Sequence, residues 1–190
     1  MSLLKFLCLS LFIVGQVHAA FLIDPYFGYK LTSGENGSSP ATTYDYNSPT
    51  FGTRLGVSHL GLSLGVDYSL ASTDLEAEAS NVVITEKHSQ SMLGLFLGYD
   101  LPIMFRLWGT YFLDVEFEDK DGGDSGDTLS GGGYGLGVGY TGLPFVSLNL
   151  EYKKYVIDEA VSSGVTAKLT GASEIDMSEI MFSVSLPINL

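Results

Sequence analysis

Apolar and polar residues alternate strictly along several stretches of this chain. Phe51, Thr53, Leu55 and Val57 share one face, with Gly52, Arg54 and Gly56 between them. Leu62, Leu64, Val66, Tyr68 and Leu70 then alternate with Ser63, Gly65, Asp67 and Ser69. The same period carries Tyr134, Leu136, Val138 and Tyr140 against three glycines, and Val146, Leu148, Leu150 and Tyr152 against Ser147, Asn149, Glu151 and Lys153. It returns in Ile180, Phe182, Val184, Leu186, Ile188 and Leu190 at the C-terminus. A period of two is the mark of a β-strand with chemically different faces. Less regular alternation over Phe21–Lys30, Met92–Tyr99 and the segment from Phe105 to Asp114 completes a set of eight predicted strands. In the fifth, placing Phe105, Leu107, Tyr111 and Leu113 on the apolar face sends Arg106, Trp108, Thr110 and Phe112 to the other. The opposite phase would put Arg106 among the apolar residues, so the first phase is preferred, with a bulge expected after Arg106.

The connections alternate in length. Long ones are predicted at Leu31–Pro49, Ala71–Lys87, Val115–Thr128 and Lys154–Glu174, and short ones at His59–Leu60, Asp100–Pro102 and Thr141–Pro144. Short turns at one end and long loops at the other describe an antiparallel up-and-down sheet closed into a barrel. The polar face is mostly Gly and Ser, whereas a water-facing sheet favours Thr, Lys, Glu and Arg. Small residues suit the narrow interior of an eight-stranded barrel, which leaves the apolar face for lipid. Tyr99 and Tyr140 near the short turns, and Tyr29, Tyr68, Tyr111, Tyr134 and Tyr152 towards the loops, would form two interfacial girdles. The expected fold is an all-β, eight-stranded antiparallel up-and-down transmembrane β-barrel. A soluble lipocalin-like barrel, apolar face inward, is the alternative.

The first residues change the picture of where the chain goes. Lys5, the apolar run Phe6–Gly15 and Val17-His18-Ala19 have the charge, length and small residues of a cleaved export signal, so residues 1–19 are read as signal peptide and 20–190 as the barrel. The single cysteine, Cys8, lies in that leader. Without Lys5 the chain carries 8 basic and 22 acidic side chains, a net charge of −14. Such an excess excludes nucleic acid as a partner, because phosphate binding needs clustered Lys and Arg.

With signal, eight alternating strands, Gly-rich inner face and C-terminal strand in hand, the chain resembles the small outer-membrane barrels of the OmpA membrane-domain, OmpX and opacity-protein type. The resemblance implies an outer-membrane location, periplasmic termini, extracellular long loops, and the outer-membrane lipids and the barrel assembly machinery as partners of a monomer. Members of that group usually end on an aromatic residue; this chain ends Leu186-Pro187-Ile188-Asn189-Leu190, its last aromatic being Phe182.

Three groups of residues could carry chemistry. Inward positions hold Lys30, Arg54, Arg106 and Lys153 with Asp24, Asp67, Asp114, Glu151 and Glu179. Charges kept from water must be paired, so these read as a salt-bridge network filling the lumen, with Arg54–Asp67 the expected central pair. The alternative is a narrow ion path. The long connections carry 15 acids against four bases. The densest run holds Asp119, Asp121, Asp124 and Asp127 with interspersed glycines, oxygen ligands for weakly held divalent cations without the spacing of an EF-hand. His88, with Ser89, Ser91 and Glu86 nearby, has the residue types of an acyl-transfer site. Its parity with Gln90 and Gly94 turns it towards the lumen rather than the lipid, and it is read as a rim-exposed polar histidine. The expectation is a non-enzymatic outer-membrane barrel without cofactor, acting in envelope structure or surface interaction. A narrow porin-like channel or a lipid-A-modifying barrel enzyme are the alternatives.

Overall fold

The computed structural model describes residues 19–39, 41–79, 82–120, 127–162 and 164–190; within these, the side chains of 73–79 and 82–87 are outside the description. The expected signal peptide therefore lies, but for Ala19, outside the described residues. Strands β1 (Ala20–Asn36), β2 (Thr43–His59), β3 (Leu62–Ala79), β4 (Val82–Leu101), β5 (Phe105–Asp119), β6 (Thr128–Tyr140) and β7 (Ser147–Ser162) follow in order. A short β8 (Val165–Lys168) folds back on β7, a 3-10 turn spans Gly171–Ser173, and β9 (Ile175–Ser185) runs on into β10 (Ile188–Asn189). Each strand from β1 to β7 pairs antiparallel with the next, and β9 pairs with both β7 and β1, closing an eight-stranded barrel. The ends of the barrel chain meet: Phe21 and Leu190 exchange backbone hydrogen bonds of 2.9 and 3.0 Å.

At the end that carries the termini, the connections are as short as expected, with slightly different bounds. His59 pairs with Leu62 across a two-residue turn in which both Leu60 (φ 51°) and Gly61 (φ 83°) are left-handed. That is the double positive φ that matches hairpin twist. The other two turns lie between Leu101 and Phe105 and between Tyr140 and Ser147.

The opposite end departs from expectation. Most of Leu31–Pro49, Ala71–Lys87 and Lys154–Glu174 continues the strands rather than looping, as do residues 115–119 and 128 of Val115–Thr128. In the β1–β2 hairpin the ladder runs on to Glu35↔Thr43, and in β3–β4 to Ala79↔Val82. The physical reason lies in an inversion of the side-chain pattern. In β7, Leu148, Leu150 and Tyr152 face outward and are exposed, with Ser147, Asn149, Glu151 and Lys153 buried inside. Two residues further along the same ladder, Lys154 and Asp158 face outward while Tyr155 and Ile157 are buried. In β9 the order runs from Ile175 and Met177 inside, with Asp176 outside, to Ser183 and Ser185 inside, with Phe182 and Val184 outside. The barrel is thus apolar outside at the turn end and apolar inside at the far end.

The bulge in β5 falls later than expected. Leu93 pairs with Asp114 and Gly94 with Phe112, which leaves Leu113 as the extra residue. Before it the even positions Arg106, Trp108, Thr110 and Phe112 point inward, and after it the odd ones, Val115 and Phe117. The slip carries Asp114 to the outer surface, where it is exposed. Its assignment to the lumen is corrected accordingly.

Candidate functional site

Inside the barrel the buried side chains form three tiers. The tier nearest the turns is centred on Arg54, brought by β2 directly opposite Asp67 on β3. Arg54 donates from Nε to Asp67 Oδ2 at 3.2 Å and from Nη1 to Asp24 Oδ2 at 3.4 Å, and its Nη2 is held by Glu151. Its guanidinium lies 4.6 Å from the Tyr26 ring and 4.5 Å from the Trp108 ring, a cation between two aromatic faces. The Tyr26 hydroxyl donates to Asp67 Oδ1 at 2.8 Å. Arg106 shares Asp24 at 3.4 Å and forks onto Asp100 at 2.6 and 3.2 Å.

These rings fit because glycines face them. A Cβ on Gly52 would run into the Tyr26 ring, and one on Gly137 into the Trp108 indole. The Gly-rich inner face is therefore the complement of a few large inward side chains in a lumen of fixed width.

The middle tier is Glu179, fully buried, with Lys153 Nζ at 2.9 Å and Lys30 Nζ at 3.5 Å. Thr32 donates to it at 3.4 Å. Lys153 also lies against the sulfurs of Met92 and Met181, at 4.0 and 3.9 Å.

The third tier is apolar. Tyr46, Met92, Phe112, Val115, Phe117, Tyr155, Ile157, Ile175 and Met177 form one buried cluster across the far half of the barrel. The Tyr46 and Tyr155 hydroxyls meet at 2.5 Å, and the Gln90 amide donates to both, at 3.2 and 3.3 Å. The Tyr46 and Phe117 rings pack edge to face at 5.7 Å. Burial pushes the Tyr46 and Tyr155 phenols well above their ordinary range, and the half-buried Tyr44 phenol above it too.

The structure brings eight of the nine expected lumen residues into these tiers: Asp24, Lys30, Arg54, Asp67, Arg106, Glu151, Lys153 and Glu179 are all buried. Asp114 is not among them. Four bases thus face four acids, and Asp100, half-exposed at the turn end, joins through Arg106. Sequence reasoning placed Asp100 in a turn; its parity with Gly98 and Phe96 was the signal that it points inward. Tyr26 and Gln90, both on inward positions, were missed as hydrogen-bonding partners for the same reason. His88 is buried on the inner face, as its parity implied, and not open at the rim. Of the acidic run, Asp121 and Asp124 lie outside the described residues; Asp119 and Asp127 flank the segment, joined by a backbone hydrogen bond of 3.0 Å. Among the described residues no three His, Cys, Asp or Glu side chains gather as a metal site.

Exposed Leu, Val, Ile, Phe and Tyr side chains ring the barrel from β1 to β9. An antiparallel barrel with this band outside and paired charges within has the architecture of a small outer-membrane β-barrel. Solved structures agree in fold. Neisserial surface protein A is 15% identical, with a TM-score of 0.54 over 86% of this chain and 96% of that one. Ail, the attachment invasion locus protein of Yersinia pestis, is 12% identical, with a TM-score of 0.56 over 88% and 99%. The outer membrane protein OprG of Pseudomonas aeruginosa is 12% identical, with a TM-score of 0.55 over 90% and 97%. No family model matches the chain, and no curated protein matches it in sequence.

Proposed function

We propose that this chain is a sealed, non-enzymatic outer-membrane barrel. On this reading its termini and short turns face the periplasm, and its far end stands above the membrane as a rigid acidic surface for envelope contacts. The observation that carries the reading is the filled lumen. The Arg54 and Glu179 tiers pair charge with charge, and the Tyr46–Tyr155–Phe117 cluster closes the far half with a buried, mainly apolar core. An eight-stranded interior is just wide enough for side chains, and here they occupy it at every level. That supports a structural or surface role over a narrow channel. Burial of His88 beneath the outer end supports a non-enzymatic barrel over a lipid-modifying one, since an acyl-transfer base must reach substrate at the rim.

Above the apolar band the outward positions include Glu35, Asp45, Asp158 and Asp176, with Lys154 only 3.8 Å from Asp176. Ail has been crystallised with a heparin analogue, sucrose octasulfate. The negative field at this chain's outer end repels such polyanions and favours cationic or cation-bridged partners. The direct partners of the barrel itself are the outer-membrane lipids and the assembly machinery.

The test joins location, topology and conductance. The protein should fractionate with outer membranes and migrate faster on SDS gels unboiled than boiled. Epitope tags at Gly37 or Gly164 should bind antibody on intact cells, whereas a tag between Leu60 and Gly61 should not. Planar bilayers containing the protein should show no steady conductance. A turn tag labelled on intact cells would invert the topology, and reproducible unit conductance would make the barrel a channel.

A further inference from the structure

The short-turn end of the barrel is apolar to its tips. Leu60 and Phe145 are 85% and 87% exposed, and Ile103, Met104 and Leu190 are also strongly exposed. The turn tips contain no charged residue: Leu60-Gly61, Pro102-Ile103-Met104 and Thr141-Gly142-Leu143-Pro144-Phe145. Each turn also holds an apolar residue at positive φ, Leu60 at 51°, Met104 at 62° and Phe145 at 66°. Such positions are taken at little cost by Gly or Asn, and bulky residues there are strained. Three bulky apolar side chains at three strained positions, all on one rim, point to a use for the side chains themselves.

The height of the apolar band says what covers them. At the far end its border is where the outward residues turn polar, after Leu31 in β1, Tyr152 in β7 and Ile180 in β9. From Leu31 down to Phe21 is ten residues, which at ~3.3 Å per residue and a tilt of ~40° is about 25 Å. Bilayer-facing bands of barrels are about 25 Å tall. Phe21 is hydrogen-bonded to Leu190 and lies opposite Val57, three residues from Leu60. The apolar band therefore ends level with the uncharged turn tips, where exposed His59 and Asn189 and half-exposed Asp100 are the polar side chains beside them.

Given the membrane reading above, on which this rests, we infer that the three short turns are seated in lipid. Leu60, Met104 and Phe145 insert among phospholipid acyl chains at the headgroup border of the leaflet facing the termini. The occupant is lipid because the three uncharged turn tips continue the lipid-facing band, and the polar side chains beside them, exposed His59 and Asn189 and half-exposed Asp100, form no continuous charged surface for a protein partner.

Spin labels test this in the full chain with Cys8→Ser, folded into vesicles of phosphatidylethanolamine and phosphatidylglycerol and checked by the unboiled gel shift. Labels go on Leu60→Cys, Met104→Cys or Phe145→Cys, on Leu95→Cys in mid-band, and on Thr166→Cys in the exposed β8. Collision with oxygen, which concentrates in lipid, is compared with collision with a water-soluble nickel chelate. The expected oxygen-to-nickel ratio at the three turns is close to that at Leu95 and several-fold above that at Thr166. Water-like turns with a lipid-like Leu95 would overturn the inference and leave the membrane reading standing. A water-like Leu95 would sink both. Turn labels shielded from both reagents, with spin–spin broadening that grows with protein-to-lipid ratio, would mean that a second copy covers the rim and would equally overturn it. The three turn positions are read independently, so one variant that fails to fold does not decide the outcome.

Discussion

At the scale of single residues, Arg54 holds the lumen together because it serves three acids at once. Asp24, Asp67 and Glu151 converge on one guanidinium clamped between Tyr26 and Trp108. Desolvating any one of these charges is costly, and only the partners' proximity offsets it. Removing Arg54 strips Asp67 and Glu151 of their guanidinium and leaves Asp24 with Arg106 alone, whereas removing Asp67 leaves a cation that still has two partners. Arg54→Met should therefore destabilise by about 3–5 kcal/mol, and Asp67→Asn by distinctly less. In a double-mutant cycle read by urea unfolding in lipid vesicles, the two should couple strongly; additive effects would mean that the pair does not interact. The same crowding makes glycine a packing residue here. Gly137→Leu would place a side chain where the Trp108 indole lies, and Gly52→Leu where the Tyr26 ring lies. Overpacking of this kind costs about 1–3 kcal/mol where neighbours can shift. Trp108 is the one tryptophan of the chain, so its emission reports the change directly: Gly137→Leu should move it and Gly52→Leu should leave it nearly as it was.

At the scale of the elements, the strands were legible wherever the outward face stayed apolar, because a constant phase over eight or more residues is hard to mistake. Their far halves were not. Tyr44 and Tyr46 in β2, Tyr155 and Ile157 in β7, and Ile175 and Met177 in β9 alternate just as regularly, but with the apolar set inside. A reader tracking the lipid-facing phase sees acids arrive on it and takes the strand to have ended. The physical cause is a change of solvent along one strand: hydrocarbon outside demands an apolar outer face, and water outside demands the reverse. Most of the lumen charge set was legible for the same reason of parity. Asp114 was not, since one extra residue in β5 turns every following side chain over. The inverted halves also make a prediction of their own. Tyr46 and Tyr155, sharing one hydrogen bond in the buried cluster, have folded-state pKa values raised by burial, so the native state keeps protons there that the unfolded chain releases near pH 10. Their contribution to stability should be level below about pH 10 and fall as pH rises beyond it, as linkage requires when the native state binds more protons. Tyrosinate absorbance should show these two phenols ionising last, with loss of the buried cluster. In a Tyr46→Phe, Tyr155→Phe double variant the alkaline fall should be shallower; an identical alkaline limb in both proteins would place the sensitivity elsewhere.

At the scale of the whole molecule, the barrel divides into a membrane half and an aqueous half that share one continuous set of hydrogen-bonded strands. On the proposed membrane reading, the extension carries the acidic far end clear of the lipid surface on paired strands rather than on long loops. Along its described residues the acids point outward, as Glu35, Asp45, Asp158 and Asp176 do, while the densest run is joined to the barrel at Asp119 and Asp127. Asp119, Asp121, Asp124 and Asp127 supply hard oxygen ligands on a short glycine-containing segment. Carboxylates without the spacing of an EF-hand are expected to bind calcium weakly, at about the millimolar level of extracellular modules. We expect divalent ions to bridge this surface to neighbouring anionic headgroups rather than to be held as a structural metal. Added calcium should slow proteolysis between Asp119 and Asp127 in the membrane-embedded protein, with half-effect near millimolar concentration. The joint substitution of the four aspartates by Asn should abolish that response while the unboiled protein still migrates as a folded barrel. Equal cleavage rates in calcium and in chelator for the unaltered protein would show the acids to be solvating surface. The negative field would then act on partners directly, repelling anionic ones and attracting cationic ones.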